Sequence, residues 1–191
     1  MAPFEFVIVF VSFIYALALT HLLIAAAAML RHRRRLTLSV PHLLWMAAAL
    51  LLLVINWLSL YDFHRFERIP LRFFLMGLVF SVVQYVLCAL VSPDFEAGET
   101  MDLRLFFERE RVTFLAAFLV LMLLAMASNF AIAREAGLGW WGGKNFVVGA
   151  MALAVVLALA VRRRWAQLAA PLLMIAGACG FMAAYYSELL R

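Results

Sequence analysis

Charged residues are scarce in this chain. Only 14% of its 191 residues are charged, whereas 68% are apolar, and the mean hydropathy is +1.03. A soluble domain carries about 25% charged residues on average, so this composition excludes an ordinary soluble protein. Most of the chain is therefore expected to face the hydrocarbon of a membrane.

Cysteine is also rare, and motifs for catalysis are missing from the sequence. Cys88 and Cys179 lie in apolar runs without CxxC or metal-ligand spacing, which is typical of buried thiols that act as small apolar residues. The sequence has no Gly-x-Ser-x-Gly, no His-Glu-x-x-His and no nucleotide-binding motif. We therefore predict a protein that is not an enzyme, with no metal and no cofactor.

Lysine occurs once, so fifteen arginines carry nearly all of the basic charge, and the net charge is +5. These arginines lie between apolar runs rather than along one exposed face. That distribution favours anionic lipid headgroups over nucleic acid as the partner. The arginines expected to contact lipid are Arg31, Arg33, Arg34, Arg35, Arg162, Arg163 and Arg164.

Six apolar runs predict an all-α membrane protein, a single six-helix transmembrane bundle that comprises residues 1–191. A span needs about 20 mostly apolar residues. The first run follows no basic region and ends in an arginine cluster, which is the reverse of a cleaved signal peptide. The predicted spans are residues 4–30, 40–60, 73–91, 112–132, 146–161 and 168–190.

The distribution of basic residues predicts the orientation. The first, third and fifth connections carry ten of them, whereas the second, the fourth and the C-terminus carry six. Because cytoplasmic loops are enriched in Lys and Arg, the Arg-rich loops are expected in the cytoplasm and both termini outside, in the periplasm. The longest cytoplasmic connection, residues 92–111, is expected to lie at the interface and to contain a short helix over residues 102–111.

Polar residues inside the spans are candidates for function, because such groups are costly in hydrocarbon. In span 3 they form a stripe on one helical face, from Gly77 to Cys88. A stripe of this kind is typical either of a pore or cavity lining or of hydrogen bonds that hold helices together. The candidate lining residues are Ser81, Gln84, Tyr85, Glu5 and Ser12.

A second polar set lies at the predicted outer ends of the spans. These side chains either converge on an outer vestibule, with Arg72 paired to an acid, or rest separately among lipid headgroups. The vestibule candidates are Asn56, Arg72, Asn129 and Glu188.

Two histidines lie within or beside spans. His21 lies in span 1 and His42 at the cytoplasmic start of span 2. Each is a candidate proton relay or haem ligand, but their depths differ, whereas two haem ligands lie at matching depth. Packed, hydrogen-bonded histidines are the alternative.

Small residues recur every four positions in the last two spans. Faces of this type let helices approach closely, which favours either packing within the chain or a homo-oligomer. The residues are Ala150, Ala154 and Ala158 in the fifth span, and Ala176, Gly180 and Ala184 in the sixth.

Several short motifs in the first 115 residues carry a resemblance: Phe4-Glu5-Phe6, Leu17-Ala18-Leu19-Thr20-His21, His42-Leu43-Leu44-Trp45, Asn56-Trp57 and Ser92-Pro93-Asp94. With these motifs the chain resembles a widespread group of small, uncharacterised six-span proteins of the bacterial inner membrane. The resemblance implies a location in that membrane but no activity. It suggests Glu5, Thr20, His21, Asn56 and Asp102 as a first set for mutagenesis.

Three functions are compatible with these features. The first is a small oligomeric channel or transporter for a proton, an ion or a small solute, which the stripe and the outer polar set favour. The second is a non-enzymatic accessory or assembly subunit of a larger membrane complex, which the short loops and small-residue faces favour. The third is a haem- or quinone-associated protein, which depends on His21 and His42 alone.

Overall fold

The computed structural model describes residues 3–61, 70–94, 101–135 and 143–187, with only the backbone for residues 3–7 and 101. Six helices in this part of the chain are long and apolar enough to cross a membrane. They are α1 (Pro3–Arg31), α2 (Val40–Ser59), α3 (Leu71–Val91), α4 (Leu103–Glu135), α5 (Gly143–Ala160) and α6 (Arg164–Tyr185). The predicted all-α, multi-pass membrane protein is thereby confirmed.

Local chemistry explains where the helices begin. Hydrocarbon offers no hydrogen-bond partner, so each span satisfies its own backbone as a helix. Pro41 lies in the first turn of α2, where its missing N–H has no intrahelical acceptor to lose. At the start of α4, Oδ1 of Asp102 accepts a hydrogen bond from the Arg104 backbone N–H at 2.7 Å, which is the arrangement of an N-cap.

Contacts between helix ends fix the direction of the helices. Strands β1 (Leu36–Thr37) and β2 (Met101–Asp102) pair in parallel and immediately precede α2 and α4, so these two helices start at one end of the bundle. We call this the arginine end, since it contains the cluster Arg33–Arg35. At the opposite end, Arg72 at the start of α3 pairs with Glu135 at the end of α4. We call this the tyrosine end, after Tyr61, Tyr185 and Tyr186.

Five helices form an open arc, and α2 packs into it between α6 and α1. Neighbours follow the order α1, α3, α4, α5, α6, and α2 packs against α6, α3, α1 and α4. Half of the most apolar stretch of α2 is buried, against 22–33% of the corresponding stretches of the other helices. The most buried helix is therefore α2, and its side chains can contact residues of most of the other helices.

The predicted start is wrong by a full turn or more at two helices, α4 and α6. The expected interfacial helix, residues 102–111, is not separate, because α4 runs without a break for 33 residues, about 50 Å at 1.5 Å per residue. No Gly or Pro occurs between Met101 and Ala136 to interrupt it. Helix α6 begins at Arg164, so Pro171 lies inside the helix and not in its first turn. This proline supplies no N–H to the carbonyl of Gln167.

Candidate functional site

A cavity of about 90 Å³ opens among the helices at the tyrosine end. Helices α2 to α6 form its walls, and Tyr15 reaches it from α1. The apolar part of the wall includes Met76, Phe80, Met122, Met151 and Phe181, and the polar part is Tyr15, Asn56, Ser59, Ser128, Asn129, Lys144 and Tyr186. Since methionine side chains are flexible and polarizable, this wall can adapt to the shape of an occupant.

A buried pair of amides, Asn56 and Gln84, adjoins the cavity. Nδ2 of Asn56 donates a hydrogen bond to Oε1 of Gln84 at 2.7 Å, and Nε2 of Gln84 donates to Sγ of Cys88 at 3.3 Å. Gln84 is fully buried, whereas Asn56 lines the cavity. Among the described residues, Gln84 is the only hydrogen-bond partner of the Asn56 side chain, so the carbonyl oxygen and second N–H of Asn56 remain for an occupant.

Aromatic rings close the bundle between the amide pair and the arginine end. Trp45, Phe114 and Phe118 have no solvent exposure. The ring centroids of Trp45 and Phe118 are 4.8 Å apart, and those of Phe114 and Phe118 are 6.5 Å apart. We call these three residues the aromatic plug. Rings packed at this density leave no room for a solute, so the cavity ends above the plug.

His42 lies beside the plug and is completely buried. Its ring centroid is 5.1 Å from that of Phe106 and 6.2 Å from that of Phe114. Within the described part of the chain neither ring nitrogen has a hydrogen-bond partner of normal geometry, although the Val91 backbone lies nearby. Nε1 of Trp45 and Oγ of Ser92 lack partners in the same way. Buried polar atoms at the arginine end therefore make fewer hydrogen bonds than those of the amide pair.

The cavity mouth carries positive charge. Lys144, the only lysine of the chain, lies in the first turn of α5 and lines the cavity. Its Nζ is 5.3 Å from the ring centroid of Tyr185 and 5.6 Å from that of Tyr186, within the range of cation–π attraction. The N-terminus of α5 adds its own partial positive charge at this point.

The predicted pore residues are distributed over helix contacts. Nε2 of His21 lies 3.1 Å from the Tyr85 hydroxyl and so joins α1 to α3. Nε1 of Trp57 donates to Oγ of Ser12 at 3.3 Å and joins α2 to α1. The Ser81 hydroxyl donates to the Leu78 carbonyl of its own helix. None of the described members of the predicted lining set lines the cavity, and Gln84 is connected to it only through its hydrogen bond with Asn56.

The predicted vestibule residues are divided in the same way. Asn56 and Asn129 line the cavity. Arg72 is exposed and pairs with Glu135 on the outside of the bundle. The side chain of Glu5 and the whole of Glu188 lie outside the described residues. The arginines predicted to contact lipid are all exposed at the arginine end.

The two histidines face different helices. His21 contacts Tyr85 of α3, whereas His42 contacts phenylalanines of α4, so they do not converge on one ligand. In the described ranges no group of three or more His, Cys, Asp and Glu side chains is placed to hold a metal ion.

Five polar residues of the cavity wall were missing from the sequence-based candidates, namely Tyr15, Ser59, Ser128, Lys144 and Tyr186. Tyr15 lies in an uninterrupted apolar run, so nothing distinguishes it from a tyrosine that packs among apolar side chains. Lys144 did give a signal, because a single lysine beside Gly142 and Gly143 is unusual at the start of a predicted span.

No protein-family model, curated protein or solved structure matches this chain.

Proposed function

We propose that the protein is a small transporter that binds an uncharged solute at the Asn56–Gln84 pair. The observation that carries this proposal is a cavity that opens at one end, reaches buried amides and stops above the aromatic plug. A site reached from one end and closed toward the other is expected of a carrier in one of its two states.

The cavity wall indicates the chemical class of the solute. The described lining residues include one cation, Lys144, and no carboxylate, which disfavours a cationic substrate. A volume of about 90 Å³ holds several water molecules or one small organic solute. Asn56 offers both a donor and an acceptor, so a short amide or polyol fits the size and the polarity.

The orientation and location are part of the same proposal. Clusters of arginine at one end of the bundle support a cytoplasmic location of that end by the positive-inside rule, and in that orientation the cavity faces the periplasm. The inner membrane of a bacterium is the location that the sequence motifs imply.

Transport requires a second state, in which the aromatic plug opens a path from the amide pair to the arginine end. Trp45 and Asn56 both belong to α2, eleven residues and about 16 Å apart along its axis. Because α2 contacts four other helices, a tilt of α2 would narrow the cavity while it moves Trp45 away from Phe118. One helix thus links the binding site to the closed half.

The test is solute flux into proteoliposomes, with acetamide and glycerol as probes. We expect faster osmotic reswelling than in protein-free liposomes, and we expect Gln84→Leu to lower the rate, because it removes the acceptor that orients the Asn56 amide toward the cavity. Ser81→Ala is the matched control, since this buried hydroxyl on the same helix bonds only to its own backbone. Flux equal to that of empty liposomes, or an unaffected Gln84→Leu variant, would contradict the proposal.

A second candidate function, a subunit of a larger assembly, is favoured by the outer face of α6. Ala176, Gly180 and Ala184 are exposed, and a Cβ added to Gly180 would meet nothing within 4 Å. The corresponding residues Ala154 and Ala158 of α5 are buried inside the bundle. The native mass of the gently extracted complex separates the two functions: a multiple of 21.5 kDa indicates a homo-oligomeric transporter, and the mass of unlike proteins indicates an accessory subunit.

A further inference from the structure

A groove of about 500 Å³ lies between α3 and α4 at the tyrosine end. Phe73 and Met76 of α3 and Phe130 and Ala131 of α4 form its apolar floor. Phe73 is 3% exposed and Phe130 is 43% exposed, so the floor extends from the packed interior to the outer surface of the bundle. Met76 borders both this groove and the cavity, but the groove opens outward, where a helix bundle in a membrane meets lipid.

Three charged side chains form the rim of the groove: Arg72, Arg134 and Glu135. Arg72 pairs with Glu135, and this ion pair joins the start of α3 to the end of α4. Arg134 is exposed and makes no ion pair with any described residue. Two arginines and one glutamate leave the rim with a single positive charge that has no counter-charge.

The other acids with described side chains lie at the arginine end. Asp94 follows the end of α3, whereas Asp102, Glu108 and Glu110 lie at or near the start of α4. Of these three, Glu110 is the nearest to Arg134 along α4, 24 residues before it, which is about 36 Å. Since exposed charges are largely screened beyond about 10 Å, none of these acids neutralises the rim.

Charged and apolar residues follow the same spacing on both walls of the groove. Met76 lies four residues after Arg72 on α3, and Phe130 lies four residues before Arg134 on α4, so each pair shares a helical face. Because α3 starts and α4 ends at the tyrosine end, both arginines lie toward water, about 6 Å outside the apolar residues. A phospholipid has the same order of groups, with its phosphate toward water and its acyl chains toward the hydrocarbon.

We propose that this groove binds one anionic phospholipid, with the phosphate at Arg134 and an acyl chain along the apolar floor. A guanidinium presents planar donors that suit phosphate oxygens. The single negative charge of a phosphatidylglycerol headgroup matches the charge of the rim, whereas the choline of phosphatidylcholine adds a cation that the rim repels. A free phosphate ion would leave the floor uncovered.

The proposal goes beyond transport, since the lipid lies outside the cavity, and its test counts bound lipid instead of solute flux. It also differs from the lipid contacts expected of the arginine clusters, because Arg72 and Arg134 lie at the opposite end of the bundle.

The experiment is photo-crosslinking of the full chain in detergent micelles, with a phosphatidylglycerol that carries a diazirine on one acyl chain. Phosphatidylcholine with the same label is the reference, and mass spectrometry of peptides locates the adducts. At lipid concentrations below saturation, we expect adducts near Met76 and Phe130 at least threefold more often with phosphatidylglycerol. Equal labelling of the groove by the two lipids, or no adducts in the groove, would overturn the proposal.

Two neighbouring rim residues should have opposite effects on this labelling. Arg134→Gln removes the cation without a counter-charge and should lower phosphatidylglycerol labelling of the groove about tenfold, the effect of losing one charge-assisted contact. Glu135→Gln leaves both arginines without a counter-charge and should raise the labelling, a change that a damaged fold does not produce. A response of the same sign in both variants, or none in either, would count against the phosphate site.

Two neighbouring alanines of α4 test the floor. Ala131 and Ala133 are both half-buried, but Ala131 lines the groove and Ala133 does not. Ala131→Phe should displace the acyl chain and lower the labelling severalfold, whereas Ala133→Phe should leave it unchanged. Equal labelling of the two variants would mean that no acyl chain occupies the floor, and the proposal would then be wrong.

Discussion

The two halves of the bundle share an apolar composition but are packed in opposite ways. At the tyrosine end, methionines and small residues surround a cavity whose lining residue Asn56 is hydrogen-bonded to Gln84. At the arginine end, large rings fill the interior, and His42, Trp45 and Ser92 have polar atoms without described partners. The densest packing therefore lies at the arginine end, whereas the hydrogen-bonded amide pair lies toward the tyrosine end.

The difference shows what determines where a membrane bundle opens. Hydropathy is high over all six helices, so apolarity does not distinguish the halves. Side-chain shape distinguishes them, because Met122 and Ala125 of α4 leave space on the wall of the cavity, whereas Phe114 and Phe118 of the same helix fill the interior. A site is then formed wherever a polar residue faces the space that remains.

The largest expected effect concerns which half faces outside. With Cys179 changed to Ala and Cys88 left because it is fully buried, single cysteines replace exposed Ser187 at the tyrosine end or exposed Thr37 at the arginine end. In right-side-out membrane vesicles, an impermeant maleimide should label Ser187→Cys completely and Thr37→Cys only after permeabilisation, because arginine-rich ends stay in the cytoplasm. The reverse pattern would place the cavity on the cytoplasmic side.

The second prediction compares the loss of stability when a phenylalanine ring is removed from the aromatic plug or from the cavity wall. Phe118→Ala removes a ring from the plug, where all sides are packed, and should lower the free energy of unfolding by about 3–5 kcal/mol. Phe181→Ala removes a ring that already borders the cavity, so fewer contacts are lost and roughly half that effect is expected. Reversible unfolding in mixed detergent and SDS micelles measures both.

Equal losses for the two variants would mean that the cavity wall is packed as tightly as the plug. The same pair sharpens the transport proposal. If the plug closes the pathway, Phe118→Ala proteoliposomes should leak acetamide faster than wild type, whereas Phe181→Ala should not leak.

Much of the fold could be predicted from the sequence, because spans depend on local apolarity. The predicted helix bounds were wrong where the burial or hydrogen bonding of individual side chains, rather than local apolarity, determines how far a helix extends. Residues 102–111 are charged enough to resemble a surface loop, yet they continue α4, because Leu103 and Phe107 are buried against the bundle. The sixth span was predicted to begin at residue 168, but α6 begins a turn earlier, at Arg164, and the Gln167 side chain donates to the Ala158 and Val161 carbonyls at the end of α5.

The site could be predicted only in part. Gln84 and Asn56 were both candidates, but for separate roles, and nothing local shows that residues 28 positions apart meet. The stripe of α3 was read as one surface, whereas its members divide among a bond to α1, a bond to α2 and a bond within α3. Arg111 was counted as a loop charge, and its burial follows only from the length of α4.

The smallest expected effect compares two glycines that line or adjoin the cavity. A Cβ at Gly77 would meet nothing within 4 Å, whereas a Cβ at Gly177 would lie 3.0 Å from Cγ of Met151. Alanine stabilises a helix interior by about 0.5–1 kcal/mol relative to glycine, so Gly77→Ala should raise the unfolding free energy by that amount in the same micelles. Gly177→Ala should raise it less, because Met151 must move.

Since Met151 lines the cavity, that movement should also slow solute uptake while Gly77→Ala leaves uptake nearly unchanged. Equal stabilisation with unchanged uptake would mean that Met151 rearranges freely, and the open half would then be defined by the amide pair alone rather than by the shape of its walls.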